Sequence, residues 1–439
     1  MKKYFLLPFF CCLVFFSFSQ DEVVKTGWNF GAVPTITFNT DLGFQYGALV
    51  DLYQYGDGQR YPQYDHKFYF EVSRYTKGSG INRFYYDSDQ LLKGLQTSLD
   101  ISYLSDQAYD FYGFNGYDAV VIPGWIDDES NEYLSRMYYK YDRKLFRFKV
   151  DLQGDFRNSH FRWLAGINFL NFRVGSVNTE KLNKGKDEAD KLPSVEEQPG
   201  LFEEYQEWGI IPAEEADGGF VPTLKAGLVF DSRDNQPNPM KGMWTEAVLS
   251  GAPAFLGAES AFMKINLTHR QYFTLVPRDL SLAYRLSYQT TVAGHAPFYY
   301  QTQVITSVMK GASSEGLGGS NSLRGIRRNR IVGDGFFYGN LEARWKFVRF
   351  QFLNNNIYLG LNGFLDFGRV TQKIDLEIPE EVDEQENFFD PDTESMHLSY
   401  GTGLRIAMNQ NFIISLDYGL AVDERDGEGG IYIGMNYLF

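Results

Sequence analysis

The sequence predicts an all-β protein, a transmembrane antiparallel β-barrel of about 16 strands with a long loop folded into its lumen. The first observation is strict alternation over residues 340–347, where Leu341 and Trp345 share an apolar face and Glu342 and Arg344 a charged face. This period of two indicates a strand, and its charged face suits a wet lumen better than the core of a sandwich. The second observation is that 17% of residues are aromatic although the mean hydropathy is negative. Only alternate residues of a membrane barrel meet lipid, so this composition is typical of that class.

No stretch beyond the N-terminus approaches the 18 apolar residues of a membrane-spanning helix, which excludes a helical membrane protein. A secreted β-sandwich is the alternative fold.

Residues 1–19 predict a secretory signal peptide that is cleaved on export. Lys2 and Lys3 provide its positive end, 4–16 its apolar core and 17–19 its small-residue cleavage site. Both cysteines, at positions 11 and 12, fall inside it, so we expect the mature chain to contain no disulfide, thiol nucleophile or cysteine metal site.

The mature chain is expected to form one domain. Residues 20–27 predict a short periplasmic lead-in, and 28–439 predict the outer-membrane barrel.

The formal net charge of −15 is concentrated in two segments. Residues 180–219 hold 12 acidic and 4 basic residues, and 371–395 hold 10 acidic and one basic residue. We expect both to be solvated, disordered loops. The remainder is close to neutral and has no basic face, which disfavours nucleic acid as a partner.

Sixteen alternating runs separated by turn residues are predicted as strands. An even number suits antiparallel closure with both termini on the periplasmic side, which places both acidic segments and the long loop 293–334 on the outer side. The runs are 28–38, 44–54, 67–75, 81–87, 95–104, 137–156, 161–172, 223–230, 243–249, 262–275, 280–290, 340–347, 357–370, 398–408, 412–422 and 431–439.

Several motifs in the C-terminal half carry a family resemblance. Leu-Arg-Gly-Ile at 323–326 lies in a glycine-rich loop, Asn-Leu-Glu-Ala-Arg follows at 340–344, and Phe-Leu-Asp-Phe-Gly stands at 364–368. Together they resemble the signature of the BamA/TamA-type outer-membrane assembly barrels, the bacterial surface antigen superfamily. That family's usual tetrapeptide is Val-Arg-Gly-Phe or Val-Arg-Gly-Tyr. Its members normally carry POTRA domains before the barrel, so the short lead-in predicts a member that lacks them.

The basic loop and the inward carboxylates predict an intralumenal ion-pair cluster, here called the lumen lock (Arg324, Gly325, Glu342, Asp366 and Gly368). Strand parity points Glu342 and Asp366 inward on neighbouring strands, and one guanidinium can bridge two carboxylates. The resemblance implies the same task for Arg324, which is to hold the folded-in loop. The other interpretation is a solvated arginine above carboxylates that merely line the lumen.

Residues 231–242 form a second motif that is similar to a hairpin of the same family. Asp and Asn bond their own backbone, Pro fixes φ, and Gly adopts dihedral angles that other residues avoid, so we favour a stable periplasmic turn without chemistry. The motif residues are Asp231, Arg233, Asp234, Asn235, Pro239 and Gly242.

The final run, 431–439, places Met435, Tyr437 and Phe439 on one apolar face and ends at an aromatic residue. It is similar to the terminal strand by which outer-membrane barrels are recognised for insertion.

The sequence offers no signal for catalysis, a cofactor or a metal. It contains no Gly-x-Ser-x-Gly elbow, its five histidines are scattered singly, and no calcium-loop pattern occurs in the acidic segments. We therefore expect a protein that is not an enzyme.

The resemblance implies an outer-membrane barrel that assists insertion or translocation of proteins through a weak junction between its first and last strands. Expected partners are outer-membrane lipid, client outer-membrane proteins and periplasmic or lipoprotein partners. A structural or pore barrel, or a subunit of a larger outer-membrane complex, is the alternative.

Overall fold

The computed structural model describes residues 24–40, 42–156, 159–188, 191–307, 315–353, 355–383, 387–409 and 412–439. The predicted signal peptide, with Lys2, Lys3, Cys11 and Cys12, and the first half of the lead-in lie outside these residues.

The described chain forms a closed barrel in which each strand pairs antiparallel with its neighbours in sequence. Sixteen strands are present in this part of the chain, which confirms the predicted fold class and strand number. They are β1 (Trp28–Asn39), β2 (Gly43–Gln54), β3 (His66–Tyr75), β4 (Gly80–Leu92), β5 (Leu95–Asp110), β6 (Lys140–Asp155), β7 (Phe161–Gly175), β8 (Phe220–Asp231), β9 (Gly242–Ala252), β10 (Phe262–Val276), β11 (Leu280–Gly294), β12 (Gly335–Phe352), β13 (Asn355–Gln372), β14 (His397–Met408), β15 (Phe412–Ala421) and β16 (Gly430–Met435).

Alternation along the strands separates a lipid-facing surface from a polar lumen, as predicted. Leu341 and Leu365 are 38% and 40% exposed on the outside, whereas Glu342 and Asp366 are fully buried on the inside. The register places Asn340 opposite Asp366 and Glu342 opposite Phe364, which brings the inward polar residues of β12 and β13 to one level of the lumen.

One end of the barrel has short turns, and the opposite end carries long segments that fold over the opening. We call the described residues within 111–139, 176–219, 295–307 and 373–396 the cap. It contains the helices α1 (Thr179–Asn183), α2 (Leu201–Glu207) and α3 (Glu380–Asp383). None of the helices in the described residues is long and apolar enough to cross a membrane.

The expectation that the acidic segments 180–219 and 371–395 are disordered is wrong for their described parts. In 371–395, Ile374 and Phe389 are buried in the aromatic cluster of the cap. The segment 180–219 packs into the same cluster. Its apolar residues Phe202 and Tyr205 are buried in an aromatic cluster with Phe111 of the neighbouring cap segment, at ring-centroid distances of 6.5 and 5.2 Å from it. Burial of several aromatic side chains outweighs the charge of a segment in which other acidic residues, such as Glu180 and Glu207, remain exposed.

Candidate functional site

The lumen lock is a set of buried ion pairs between one loop and two strands. We call residues 315–334 the lock loop. Arg324, only 1% exposed, bonds Asp366 through Nε at 2.9 Å and Nη2 at 3.0 Å, and its Nη1 lies 2.8 Å from Glu342 Oε1. Its backbone N–H donates to Asp366 Oδ2 at 3.0 Å, and its guanidinium lies 3.6 Å from the ring centroid of Phe364. A two-point fork with an aromatic face beneath it holds the arginine in one orientation.

Asp417 on β15 is a third carboxylate of this group, and sequence reasoning missed it. Its Oδ1 lies 3.7 Å from Arg324 Nη1 and 2.9 Å from Arg405 Nη2. Glu342 is likewise shared, because Arg344 binds its Oε2 at 2.7 Å. The charges therefore form a network across β12, β13, β14 and β15 rather than isolated pairs.

The glycines of the lock allow the loop backbone to lie against the barrel wall. Gly325 has φ +95°, and a Cβ there would lie 2.7 Å from the backbone carbon of Gly419. Its N–H donates to the Tyr432 hydroxyl on β16 at 3.2 Å. A Cβ on Gly368 would lie 2.9 Å from Leu323 Cδ1, so the loop seats closely on β13 as well.

Two further arginines extend the lock loop to the far wall and to the cap. Arg328 reaches β5, with Nη2 3.3 Å from Asp106 and Nε 3.3 Å from Asp110. Arg330 donates to the carbonyl oxygens of Gly116 at 2.6 Å and Ala119 at 3.2 Å in the cap. The loop therefore joins opposite sides of the lumen.

The cap is sealed by aromatic packing and by buried carboxylates. Glu215 accepts the backbone N–H of Phe298 at 2.7 Å, which ties two cap segments together, and burial raises the pKa of Glu215. Glu204 on α2 accepts the hydroxyl of Tyr138, and burial raises the pKa of Glu204 to about 7.

The junction between β1 and β16, which we call the seam, is the weakest in the barrel. Asn39 and Tyr432 form the one residue pair of this ladder, whereas all twelve residues of β1 pair with β2. Thr40 adds two hydrogen bonds to Ile431, from its N–H to the carbonyl oxygen at 3.3 Å and from the Ile431 N–H to Oγ1 at 2.9 Å. Most of the outer edge of β1 therefore has no ladder partner on β16.

The C-terminal run does not remain a strand to its end, which corrects the predicted geometry. β16 ends at Met435, and residues 436–439, which we call the tail, turn into the lumen, where Tyr437 and Phe439 are each 8% exposed. Asn436 adopts φ +69°, a left-handed conformation that Asn tolerates, and this reverses the alternation. Arg344 then lies 4.3 Å from the ring centroid of Tyr437 and 4.8 Å from that of Phe439.

The hairpin between β8 and β9 is held by its own side chains. Arg233 bonds Asp231 through Nε at 2.9 Å and Nη2 at 3.0 Å and lies 4.4 Å from the Trp244 ring centroid. Asp234 accepts the backbone N–H of Met240 at 3.0 Å, which is the kind of side-chain-to-backbone hydrogen bond expected of Asp in a turn.

The remaining motif residues complete this turn. Asn235 Oδ1 accepts the Asn238 N–H at 3.0 Å, and Asn238 Nδ2 donates to Tyr358 Oη on β13 at 3.0 Å. Pro239 is buried beside Asn238, and Gly242 has φ +93° where a Cβ would lie 2.2 Å from Ser232 O. The hairpin therefore reaches across the end of the barrel that also holds the chain termini.

Family comparison identifies the chain from residue 65 onward. Residues 65–439 match the model of the Omp85 superfamily domain. The chain belongs to the Omp85 superfamily. The resemblance to BamA/TamA-type barrels is thereby confirmed, and membership of Omp85 indicates the outer membrane as its location.

Solved structures agree with this Omp85 barrel at the level of the fold. BamA from Haemophilus ducreyi lacking POTRA domains 1–3 is 14% identical with a TM-score of 0.51, and the match covers 94% of this chain and 70% of that chain. CdiB from Escherichia coli is 10% identical with a TM-score of 0.53, covering 93% of this chain and 62% of that chain. No curated protein sequence matches significantly.

Omp85 barrels are generally non-enzymatic transport or assembly proteins. Within the described residues of this one, no group of three or more His, Cys, Asp or Glu side chains is placed to hold a metal ion.

Proposed function

We propose that this Omp85 barrel assists the insertion or translocation of proteins at the outer membrane by opening at its seam. The observation that carries the proposal is the pairing of β1, which is complete on the β2 side and limited to Asn39 and Tyr432 on the β16 side. Opening the seam therefore breaks few hydrogen bonds.

An unpaired strand edge in a bilayer is stabilised strongly when another strand pairs with it. Hydrocarbon offers no hydrogen-bond partners, so each unsatisfied backbone group there costs on the order of several kcal/mol of free energy. A client strand that pairs with β1 satisfies these groups by β-augmentation. The proposed substrate is therefore a β-strand of an outer-membrane protein in the course of insertion.

The filled lumen supports this proposal over an open pore, the alternative suggested by the sequence. The lock loop occupies the lumen through Arg324 and Arg328, and the aromatic cluster of the cap lies over the end opposite the termini. Because the lock loop fills the lumen and the cap covers one end, a client strand would leave the barrel laterally into lipid rather than through a pore.

The experiment is a disulfide across the seam. Thr40 and Ile431 are both exposed on the outer face, and Thr40 bonds the Ile431 backbone through its N–H and its Oγ1. Thr40→Cys with Ile431→Cys therefore places two thiols side by side across the seam and leaves Tyr432 in place. The matched control is Ser415→Cys with Gly434→Cys, which joins the paired residues of β15 and β16 without crossing the seam.

We expect the oxidised seam variant, reconstituted in lipid vesicles, to lose assisted folding of a client barrel and to regain it on reduction. The oxidised control should keep that activity. Client folding at wild-type rate with the seam cross-linked would rule out the proposal and leave the structural role.

We further propose that residues 1–19 are removed on export, that 20–27 lie in the periplasm and that the cap faces outward. N-terminal sequencing of the protein from outer membranes tests the first part, since a product that starts at residue 1 would contradict it. The terminal residues Met435, Tyr437 and Phe439 are proposed as the signal for the chain's own insertion, with Phe439→Ser expected to reduce its assembly.

A further inference from the structure

Two inward-facing arginines, Arg270 on β10 and Arg285 on β11, stand directly opposite each other in the strand register. We call them the arginine pair. They are 7% and 5% exposed, so both positive charges are buried in the lumen wall. Like charges directly across a strand pair destabilise the sheet.

The arginine pair has no carboxylate partner among the described residues. Arg270 Nε and Arg285 Nη2 have no hydrogen-bond partner there, and the one side-chain bond of Arg285 goes to the neutral Asn340, from Nε to Oδ1 at 2.8 Å. The carboxyl groups of this region are bonded to other residues: Glu246 to Trp244 and Ser307, and Asp366 to Arg324. The C-terminal oxygen of Phe439 accepts from Arg344 Nη2 at 3.0 Å.

This situation is unlike that of the other buried arginines in the described residues. Each of those has a carboxylate oxygen within 4 Å, which is the arrangement that buried charges require. They are Arg143, Arg147, Arg324, Arg328, Arg330, Arg344 and Arg405. Two like charges buried at one point, without a carboxylate oxygen within 4 Å among the described residues, favour the binding of an anion.

The arginine pair borders a cavity large enough for such an ion. The cavity has a volume of about 310 Å³ and lies between the lock loop, the β8–β9 hairpin and the tail. Aromatic faces line it beside the guanidiniums: Arg285 lies 4.9 Å from the ring centroid of Tyr338 and 5.2 Å from that of Phe439. A single water occupies roughly 30 Å³, so a tetrahedral oxyanion and several waters fit.

We propose that the arginine pair is a binding site for a phosphate group carried as a dianion. A phosphate monoester or inorganic phosphate carries a charge of about −1.5 to −2 at neutral pH, which offsets both guanidiniums, whereas one carboxylate offsets a single charge. The planar guanidinium forks also match phosphate oxygens in two-point geometry. The phosphate comes either from solution or from the headgroup of a lipid, whose chains would lie along the aromatic faces.

The first measurement is isothermal titration calorimetry of the purified barrel in detergent with inorganic phosphate, at constant ionic strength set with chloride. We expect saturable binding to the wild type and at least ~10-fold weaker binding after Arg270→Gln or Arg285→Gln, because a charged hydrogen-bond donor is lost. The matched control is Arg173→Gln, which removes an exposed arginine outside the cavity and should leave binding unchanged.

A second measurement guards against variants that do not fold. Phosphate should raise the unfolding midpoint of the wild type above that in chloride, because a ligand that binds the folded state stabilises it. Without phosphate, either glutamine variant should unfold at a higher midpoint than the wild type, since the repulsion is relieved.

The source of the phosphate is decided by comparing dihexanoyl phosphatidic acid with inorganic phosphate. Dihexanoyl phosphatidylcholine, a lipid of the same chain length without a phosphate monoester, is the control. Tighter binding of phosphatidic acid than of inorganic phosphate assigns the site to a lipid headgroup, and the reverse order assigns it to soluble phosphate. The proposal would be overturned if the wild type bound neither inorganic phosphate nor phosphatidic acid, or if binding survived the loss of both arginines.

Discussion

Replacing Arg324 with alanine is expected to free the lock loop and destabilise the barrel by about 3–5 kcal/mol, the usual effect of removing one member of a buried charge pair. Glu342 and Asp366 are both fully buried, but they lose different amounts. Glu342 keeps Arg344 at 2.7 Å, whereas Asp366 keeps neutral donors, the Asn340 amide at 2.8 Å and the backbone N–H of residue 324 at 3.0 Å. Most of the destabilisation therefore comes from the carboxylate of Asp366.

We expect a second substitution at Asp366 to rescue part of the lost stability. Asp366→Asn in the Arg324→Ala background removes the uncompensated charge, so the double variant should be more stable than Arg324→Ala alone. Arg324→Lys should fall between the wild type and Arg324→Ala, since it keeps a positive charge but loses the two-point contact with Asp366. The ordering distinguishes loss of an ion pair from loss of packing.

The assay is urea unfolding in lipid vesicles, followed by heat-modifiable electrophoretic mobility, together with limited proteolysis of the lock loop. Arg327→Ala is the control, because Arg327 lies in the same loop and its guanidinium has no ion pair among the described residues, its ring contact being with Tyr112 at 5.7 Å from the centroid. An unchanged midpoint and unchanged protease resistance in Arg324→Ala would refute the buried-pair account. Equal losses in Arg327→Ala would refute its specificity.

Two further outcomes test the loop seat and the cap. Gly325→Ala should loosen the lock loop by roughly 1–3 kcal/mol or more in the same proteolysis assay, since it combines a positive φ with a clash against Gly419. Gly209→Ala, at φ +71° with no atom within 4 Å, measures the backbone strain alone. Glu204 has a folded-state pKa of about 7, above its unfolded value, so cap stability should decrease as pH rises from about 4.5 to 7. Hydrogen exchange of α2 at pH 5 and pH 8 should show this difference, and Glu204→Gln should abolish it.

The sequence was sufficient for the barrel because its information is local. Alternation at Leu341, Glu342 and Arg344 reports which face meets lipid, whatever the rest of the chain does. Strand parity placed Glu342 and Asp366 inward, and the structure puts Arg324 within bonding distance of both.

Contacts across the lumen were beyond sequence reasoning. Nothing in the spacing of Arg328 and Asp106 indicates that a loop after β11 reaches β5, because the distance depends on the curvature of the whole barrel. The order of the described part of the acidic segment 180–219 was missed because its charge was weighed above its buried Phe202 and Tyr205. The turn of the tail had a weak signal in Asn436, a residue type that tolerates positive φ.

The lock loop acts as an internal brace that restricts which strands can move. Its contacts reach β5 through Arg328, β12 and β13 through Arg324, and β16 through the N–H of Gly325. An outward swing of β1 together with β2, β3 and β4 breaks none of these bonds, whereas displacement of β16 breaks the last. The N-terminal strands are therefore the side of the seam that is free to move, whereas the lock loop holds the C-terminal strand β16 in place.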